Sequence, residues 1–207
     1  MDTRRLRLDE VDAAGALLAR AFFDDPLATY MLPDARSRGR LLAVHMGAMI
    51  RYGVLYGEVH ATPGTLLGVA MWAPPGLDDV SPEQAVASGI DRAADQLGTR
   101  AWGRFLAVME HVGQFRTRDV PEPHWYLALI GVAPEAAGQG VGGRLLRATV
   151  DRADATRTPC YLETANARNV PFYRRHGFDL IREGVNPGSR VRYWTFRRRP
   201  PRGREPE

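Results

Sequence analysis

The order of strand-like and helix-like segments predicts a single α/β domain built on one mixed central sheet. Three observations carry that prediction. Along the chain the patterns run β-α-α-β-β, then two helices, then β-α-β-α-β-β. The stretch HWYLALIGV, His124 to Val132, is almost continuously apolar, as a central strand covered on both faces would be. The 207 residues, 44% of them hydrophobic, suit one core with an insertion.

The first strand is RRLRL, Arg4 to Leu8. Asp9 is then expected to cap a helix on which Val11, Ala14, Leu17, Leu18, Ala21 and Phe22 recur at helical spacing. FFDDPLATYMLPD reads as a loop, followed by a helix from about Ser37 to Tyr52. VLYGEVHA, the turn TPGT and LLGVAMWAPP read as a β-hairpin. Ser81-Pro82-Glu83-Gln84 joins an N-cap serine, a first-turn proline and a capping-box glutamine. The helix it starts runs to about Leu97, and another runs from Thr99 to about Phe115. After the apolar strand come a glycine run and an amphipathic helix, then the buried strand PCYLETA. NVPFYRRHG is a short helix with Asn169 as its expected N-cap and Gly177 as its stop. FDLIREG and RVRYWTFR close the sheet as two strands around VNPGS.

Composition narrows the function. The single cysteine, Cys160, excludes a disulfide framework and a cysteine-rich zinc site, and in TPCYLET it reads as core. The five histidines lack metal-ligand spacing, so no metal is expected. No apolar run is long enough to span a bilayer and no secretory signal opens the chain, so a cytoplasmic protein without a membrane partner is expected. The formal charge is +4 and every basic residue is arginine. These arginines show no aromatic interleaving, so no nucleic-acid partner is expected. A modest positive field suits a polyanionic small ligand. The end, from about residue 199 to 207, reads as a disordered Arg/Pro-rich tail.

GQGVGG, Gly138 to Gly143, puts four glycines between that strand and its helix. Free N–H groups and about half a positive charge make a helix start an anion site. Glycines there let a phosphate reach the main chain. Close strand-to-helix packing is the alternative account. With no lysine, a GxxxxGK[ST] phosphate loop is impossible. Gly138, Gly140 and Gly143 do match the dinucleotide pattern GxGxxG, with Glu163 about twenty residues on. Against it, APEAA separates strand from glycines, and too little chain follows Glu163 for a doubly wound sheet.

IGVAPEAAGQGVGGRLL followed by YLETANARNVPFYRRHGF resembles the GNAT superfamily of acyl-CoA-dependent N-acyltransferases. The likeness runs from the first strand to RYWTF, over a domain of residues 1–198 with a helical insert at about 80–117. Within the superfamily, the stretch looks most like the puromycin N-acetyltransferase subgroup and its bacterial relatives. The family's coenzyme loop, [Q/R]-x-x-G-x-[G/A], falls on Ala137 to Gly142, and Ala137 departs from the usual Gln or Arg.

The resemblance implies a sheet splayed between its fourth and fifth strands, with the pantetheine arm of acetyl-CoA in the gap. Ile130, Gly131 and Val132 would pair with that arm, the Val132 N–H facing the thioester oxygen. Gly131 would also be the bulge that opens the splay. Gly138, Gln139, Gly140, Val141, Gly142 and Gly143 would hold the pyrophosphate through main-chain N–H groups, with Arg144 and Arg147 near the 3′-phosphate. Asn166 and Asn169 would hydrogen-bond the pantetheine. Tyr173 aligns with the family tyrosine near the thioester sulfur, a general acid for the leaving thiolate. The strand carries no carboxylate, so Glu163 is the first candidate for the base, with His124, Asp25 and His111 behind it.

Phe23, Asp24, Tyr30, Trp72, Trp102 and Phe105 are expected around the acceptor. The activity implied is acetyl transfer to a primary amine of a small molecule, antibiotic-like or an aminonucleoside, by a monomer or homodimer. A non-catalytic acyl-CoA binding module and a dinucleotide enzyme are the rival readings.

Overall fold

The computed structural model describes residues 3–77 and 79–201. Its strands are β1 (Arg4–Arg5), β2 (Glu58–Ala61), β3 (Gly68–Ala73), β4 (Trp125–Val132), β5 (Cys160–Thr164), β6 (Asp179–Val185) and β7 (Arg192–Arg198). Its helices are α1 (Val11–Ala21), α2 (Pro26–Met31), α3 (Ala35–Tyr56), α4 (Pro82–Ser88), α5 (Ile90–Asp119), α6 (Val141–Ala155) and α7 (Val170–Arg175). The strands form one sheet in the order β1-β2-β3-β4-β5-β7-β6. Only β4 and β5 run parallel; the other neighbours are antiparallel. A doubly wound dinucleotide fold needs a mostly parallel sheet, so that reading falls.

Helices cover both faces of the sheet, and two glycines mark how closely. A Cβ at Gly131 would meet Leu18 Cδ2 of α1 at 2.5 Å. One at Gly68, on the neighbouring strand, would meet Val141 and Leu145 of α6 at 2.9 and 3.0 Å. The two faces carry separate cores. One joins α1, α3 and α5 to β2 and β3. The other joins α6 and α7 to β4, β5 and β7.

Several boundaries differ from the sequence reading. α1 begins after a short 3-10 turn at Leu8–Glu10, and Asp9 pairs with Arg7 instead of capping it. The stretch expected as a loop holds α2, because Asp25 accepts from the Leu27 N–H and Pro26 supplies the first turn. α3 runs on through Val54 to Tyr56, so β2 starts only at Glu58. The capping box at Ser81 and Gln84 forms as the sequence predicts. α5 changes course at Gly98, with φ 78° and ψ 156°, where one helix was expected to end and another to begin. Asn169 holds the expected N-cap position of α7, but its side chain donates to Thr164 Oγ1 instead of capping the helix, and Asn166 caps the preceding 3-10 turn. Of the expected tail, residues 202–207 lie outside the described residues.

The C-terminal end of the helical insert is fastened to the far half of the sheet. The Asp119 carboxylate, 4% exposed, accepts from Arg182 on β6 at 2.9 Å and from Thr195 Oγ1 on β7 at 3.1 Å. Glu122 pairs with Arg197 of β7. Because of this anchoring, the last turns of α5 stand over the junction of β4 and β5.

Candidate active site

β4 and β5 pair only at Trp125 with Cys160 and at Tyr126 with Tyr161. Beyond Tyr126 they separate: β4 stays on β3 as far as Val132, and β5 stays on β7 as far as Thr164. The expected splay is therefore present. Its bulge is not at Gly131. Met71 pairs with Leu129 and Trp72 with Leu127, so Ala128 is the extra residue on β4. Gly131 lies in regular register, and its missing side chain makes room for α1. The strand is also not closed on both faces. Tyr126, Ala128, Leu129, Ile130 and Val132 are only half-buried.

Strand alternation fixes which β4 amides face the gap. The Ala133 N–H donates to Leu67 O on the β3 side. With the register continuous from Leu129 to Val132, Gly131 faces β3 as well, and the backbones of Ile130 and Val132 face the open edge.

The glycine run divides into two kinds of position. Gly138 and Gly140 have φ of 77° and 76°, the left-handed region. Nothing lies within 4 Å of a Cβ at Gly138, and only the tip of Arg144 lies near one at Gly140. Gly142 and Gly143 serve packing: added Cβ atoms would meet Phe172 at 3.1 Å and His176 Nε2 at 2.6 Å. Gly140 is the N-cap of α6, so its N–H and those of Val141, Gly142 and Gly143 lack partners within the helix. Residues Ala137 to Gly140 are exposed. The Gln139 side chain folds back to Glu135 O, and Arg144 reaches Gln139 O. An open edge of β4, followed by an exposed nest of amides at a helix start, fits the extended pantetheine and diphosphate of an acyl-CoA.

Glu163 sits beside the point where the strands part. Tyr126 donates to its Oε1 at 2.8 Å, while its Oε2 is buried without a partner. Burial pushes its carboxyl up to about 7, against the lowering effects of the Tyr126 hydroxyl and the Arg116 charge. The Arg116 guanidinium lies 4.8 Å from the Tyr126 ring centre. Tyr126, Glu163 and Arg116 all line a cavity of about 1170 Å³. α5, the segment after β3 and the loop before β4 wall it.

Tyr173 of α7 is 4% exposed and packs against Phe172, Phe178 and Phe196. Burial, then the charges of Asp25 and Glu163, raise its phenol well above its ordinary value, so it holds its proton at neutral pH. Of the residues expected around the acceptor, Trp102 and Phe105 line this cavity; Phe23, Asp24, Tyr30 and the core residue Trp72 do not. Sequence reading missed Tyr126 and Arg116. A phenol in an apolar strand and an arginine on a polar helix carry no signal until the fold joins them.

The other candidates for a base have other work. Asp25 caps α2, and the His111 ring is wedged against Phe115 and Tyr193. His124 lines the cavity with Nδ1 on Glu122 O. Among the described residues no group of three or more His, Cys, Asp or Glu gathers to hold a metal ion. None of their helices is long and apolar enough to cross a membrane.

A parallel pair of strands parting above an exposed helix start, with a buried carboxyl at the fork, defines a GNAT-type acyl-transfer fold. The model of the acetyltransferase (GNAT) family matches residues 78–178. The family match and the curated relative below support an N-acetyltransferase of GNAT type, and the solved structures share its fold. The chain is 25% identical over 183 residues to an uncharacterised N-acetyltransferase of Schizosaccharomyces pombe, covering 86% of this chain and 74% of that protein. Its fold is similar to the structure of histone acetyltransferase HPA2 and related acetyltransferase from Corynebacterium glutamicum, with TM-score 0.67, 20% identity and 99% and 100% of the two chains covered. It is similar also to a Drosophila melanogaster polyamine N-acetyltransferase that forms N-acetylagmatine, with TM-score 0.62, 17% identity and 95% and 98% covered.

Proposed function

We propose that this chain acetylates a primary amine of a small molecule, with Glu163 as the general base and Tyr173 as the general acid. The observation that carries the reading is Glu163: a buried carboxyl at the fork of β4 and β5, raised to about 7, with one oxygen bound to Tyr126 and the other unpartnered. An amine must lose its proton before it attacks. A carboxylate poised near neutral pH is matched to that task. Tyr126 holds Oε1, leaving Oε2 as the atom that takes the proton.

Acetyl-CoA, when bound, supplies the activated acetyl group. The backbones of Ile130 and Val132 would hold its pantetheine arm. The amides of Gly138, Gln139, Gly140, Val141, Gly142 and Gly143 would hold its diphosphate. Arg144 and Arg147 stand on the next turn of α6 for the 3′-phosphate. Asn166 and Asn169, near the end of β5, would bind the arm from the other side. Tyr173, protonated at neutral pH, is suited to return a proton to the leaving sulfur.

The fold neighbour that forms N-acetylagmatine supports an amine acceptor, and the resemblance to the puromycin N-acetyltransferase subgroup supports an aminonucleoside. The reading places the protein in the cytoplasm, as a monomer or homodimer. Thiol release from acetyl-CoA over an amine panel including aminonucleosides tests it. Turnover is expected with at least one amine, rising through about pH 7 as Glu163 ionises. In Glu163→Gln that limb should vanish and kcat should fall by a factor of roughly 10² to 10⁴. Wild-type turnover in that variant rules out Glu163 as the base.

A further inference from the structure

The coenzyme features lie on the open edge of β4 and the start of α6, yet none of their residues lines the large cavity. It meets the fork only through Tyr126 and Glu163. From there it extends along one stripe of α5. Trp102, Phe105, Leu106, Met109, Gly113 and Arg116 recur at steps of one, three and four residues. Eighteen residues of helix from Trp102 to Asp119 span roughly 27 Å. Its volume of about 1170 Å³ is above the range of roughly 300–1,000 Å³ common for sites that take drug-sized ligands.

The chemistry of this wall is uneven. Polar groups crowd the fork end: Glu163, Tyr126, Arg116, His124 and the Glu122–Arg197 pair. Away from it the surfaces are apolar: Trp102 and Phe105, packed together on His45, then Leu106 and Met109 from α5, faced by Leu77 and Val80. Leu106 and Val80 are 46% and 40% exposed, large apolar groups left open on a common wall. Two carboxylates also stand here, Asp79 and Glu110, but both are exposed. Charges in water attract a cation weakly, whereas an apolar ligand body gains with each methylene it buries. Apart from Tyr126 and Glu163 at the fork, the walls are helix and loop side chains.

Resting on the acetyltransferase reading, we infer that the acceptor is an elongated, mainly apolar amine, its amino end at Glu163 and its hydrophobic body laid along the α5 stripe. Short polar amines and polycations fill neither the length nor the apolar wall.

A homologous series from n-butylamine to n-dodecylamine, with spermidine and an unblocked hexapeptide as other arms, tests the inference by acetyl-CoA turnover. kcat/KM should climb with chain length, by at most about fourfold per methylene, the value for complete burial of each CH₂. In Leu106→Asp, at an exposed position that leaves the core intact, the dodecylamine-to-butylamine ratio should fall tenfold or more. A flat length dependence, or preference for spermidine or the peptide, overturns the apolar-body inference and leaves the acetyltransferase reading standing. Turnover with none of the arms or any other amine removes that reading, and this inference with it.

Discussion

The coenzyme side and the acceptor side of the fork are built in opposite ways. The first is assembled mainly from one short run, Ile130 to Gly143, and works through main-chain groups. The second draws side chains from α3, α4, α5, β4 and β5, separated by more than a hundred residues of chain. Main-chain binding demands only backbone conformations, which a glycine pattern can write. Side-chain recognition demands distant residues at one place, which only packing can deliver. The first arrangement should therefore tolerate side-chain change and fail on backbone change, and the second should do the reverse.

After Glu163→Gln, the largest expected effect falls on Tyr173. Tyr173→Phe keeps the buried ring and removes one hydroxyl. It should lower kcat by tenfold or more while leaving acetyl-CoA affinity, measured by thermal shift, nearly unchanged. Wild-type kcat would remove Tyr173 from the chemistry. Next comes the backbone test. Gly140→Ala introduces a Cβ at φ 76°, a conformation that costs L-residues roughly 1–2 kcal/mol. Acetyl-CoA should bind about tenfold more weakly, and Gly140→Asn, which tolerates that region better, should recover part of the loss. Equal binding by the alanine variant would break the contrast between the two sides.

Gly143→Ala sharpens it from within the same run. Its Cβ would press on the His176 ring, so stability should drop by about 1–3 kcal/mol in denaturant unfolding. An unchanged midpoint would refute the packing role of that glycine.

The pH dependence of stability separates two groups on the acceptor side. Glu163, raised from 4.5 to about 7, favours the folded state while protonated. That contribution, of order 2–3 kcal/mol, is full below pH 4.5 and lost as pH rises through 7. His45 has the opposite sign: buried and held neutral, it is lowered from 6.5 to about 4. Its contribution is full above pH 6.5 and lost as pH falls through 4. Unfolding of Glu163→Gln from pH 4 to 8 should lack the alkaline decline seen in the wild type. Persistence of that decline assigns it to another group.

Local signals were read well where one residue type has one physical reason. Ser81 and Gln84 closed their capping box, and Gly98 broke the insert where its helical pattern was interrupted. Errors came where tertiary contacts outweighed local preference. VLY, apolar and β-branched enough to read as strand, continues α3, because that helix packs against α1 and extends until Gly57. Asn169 stands at the cap position as read, but its side chain partners Thr164, a residue on β5.

By itself the sequence determined the element order except for α2, the conformation-demanding glycines ahead of α6 and the presence of Glu163 at the end of a buried strand. All of these follow from local chain stereochemistry and the period of apolar residues. Only the tertiary structure decided that β4 and β5 part after Tyr126, that the bulge is Ala128, and that Glu163 is held by Tyr126 beneath Arg116. Those facts depend on which residues meet across long separations. They are a consequence of whole-chain packing that no local pattern encodes.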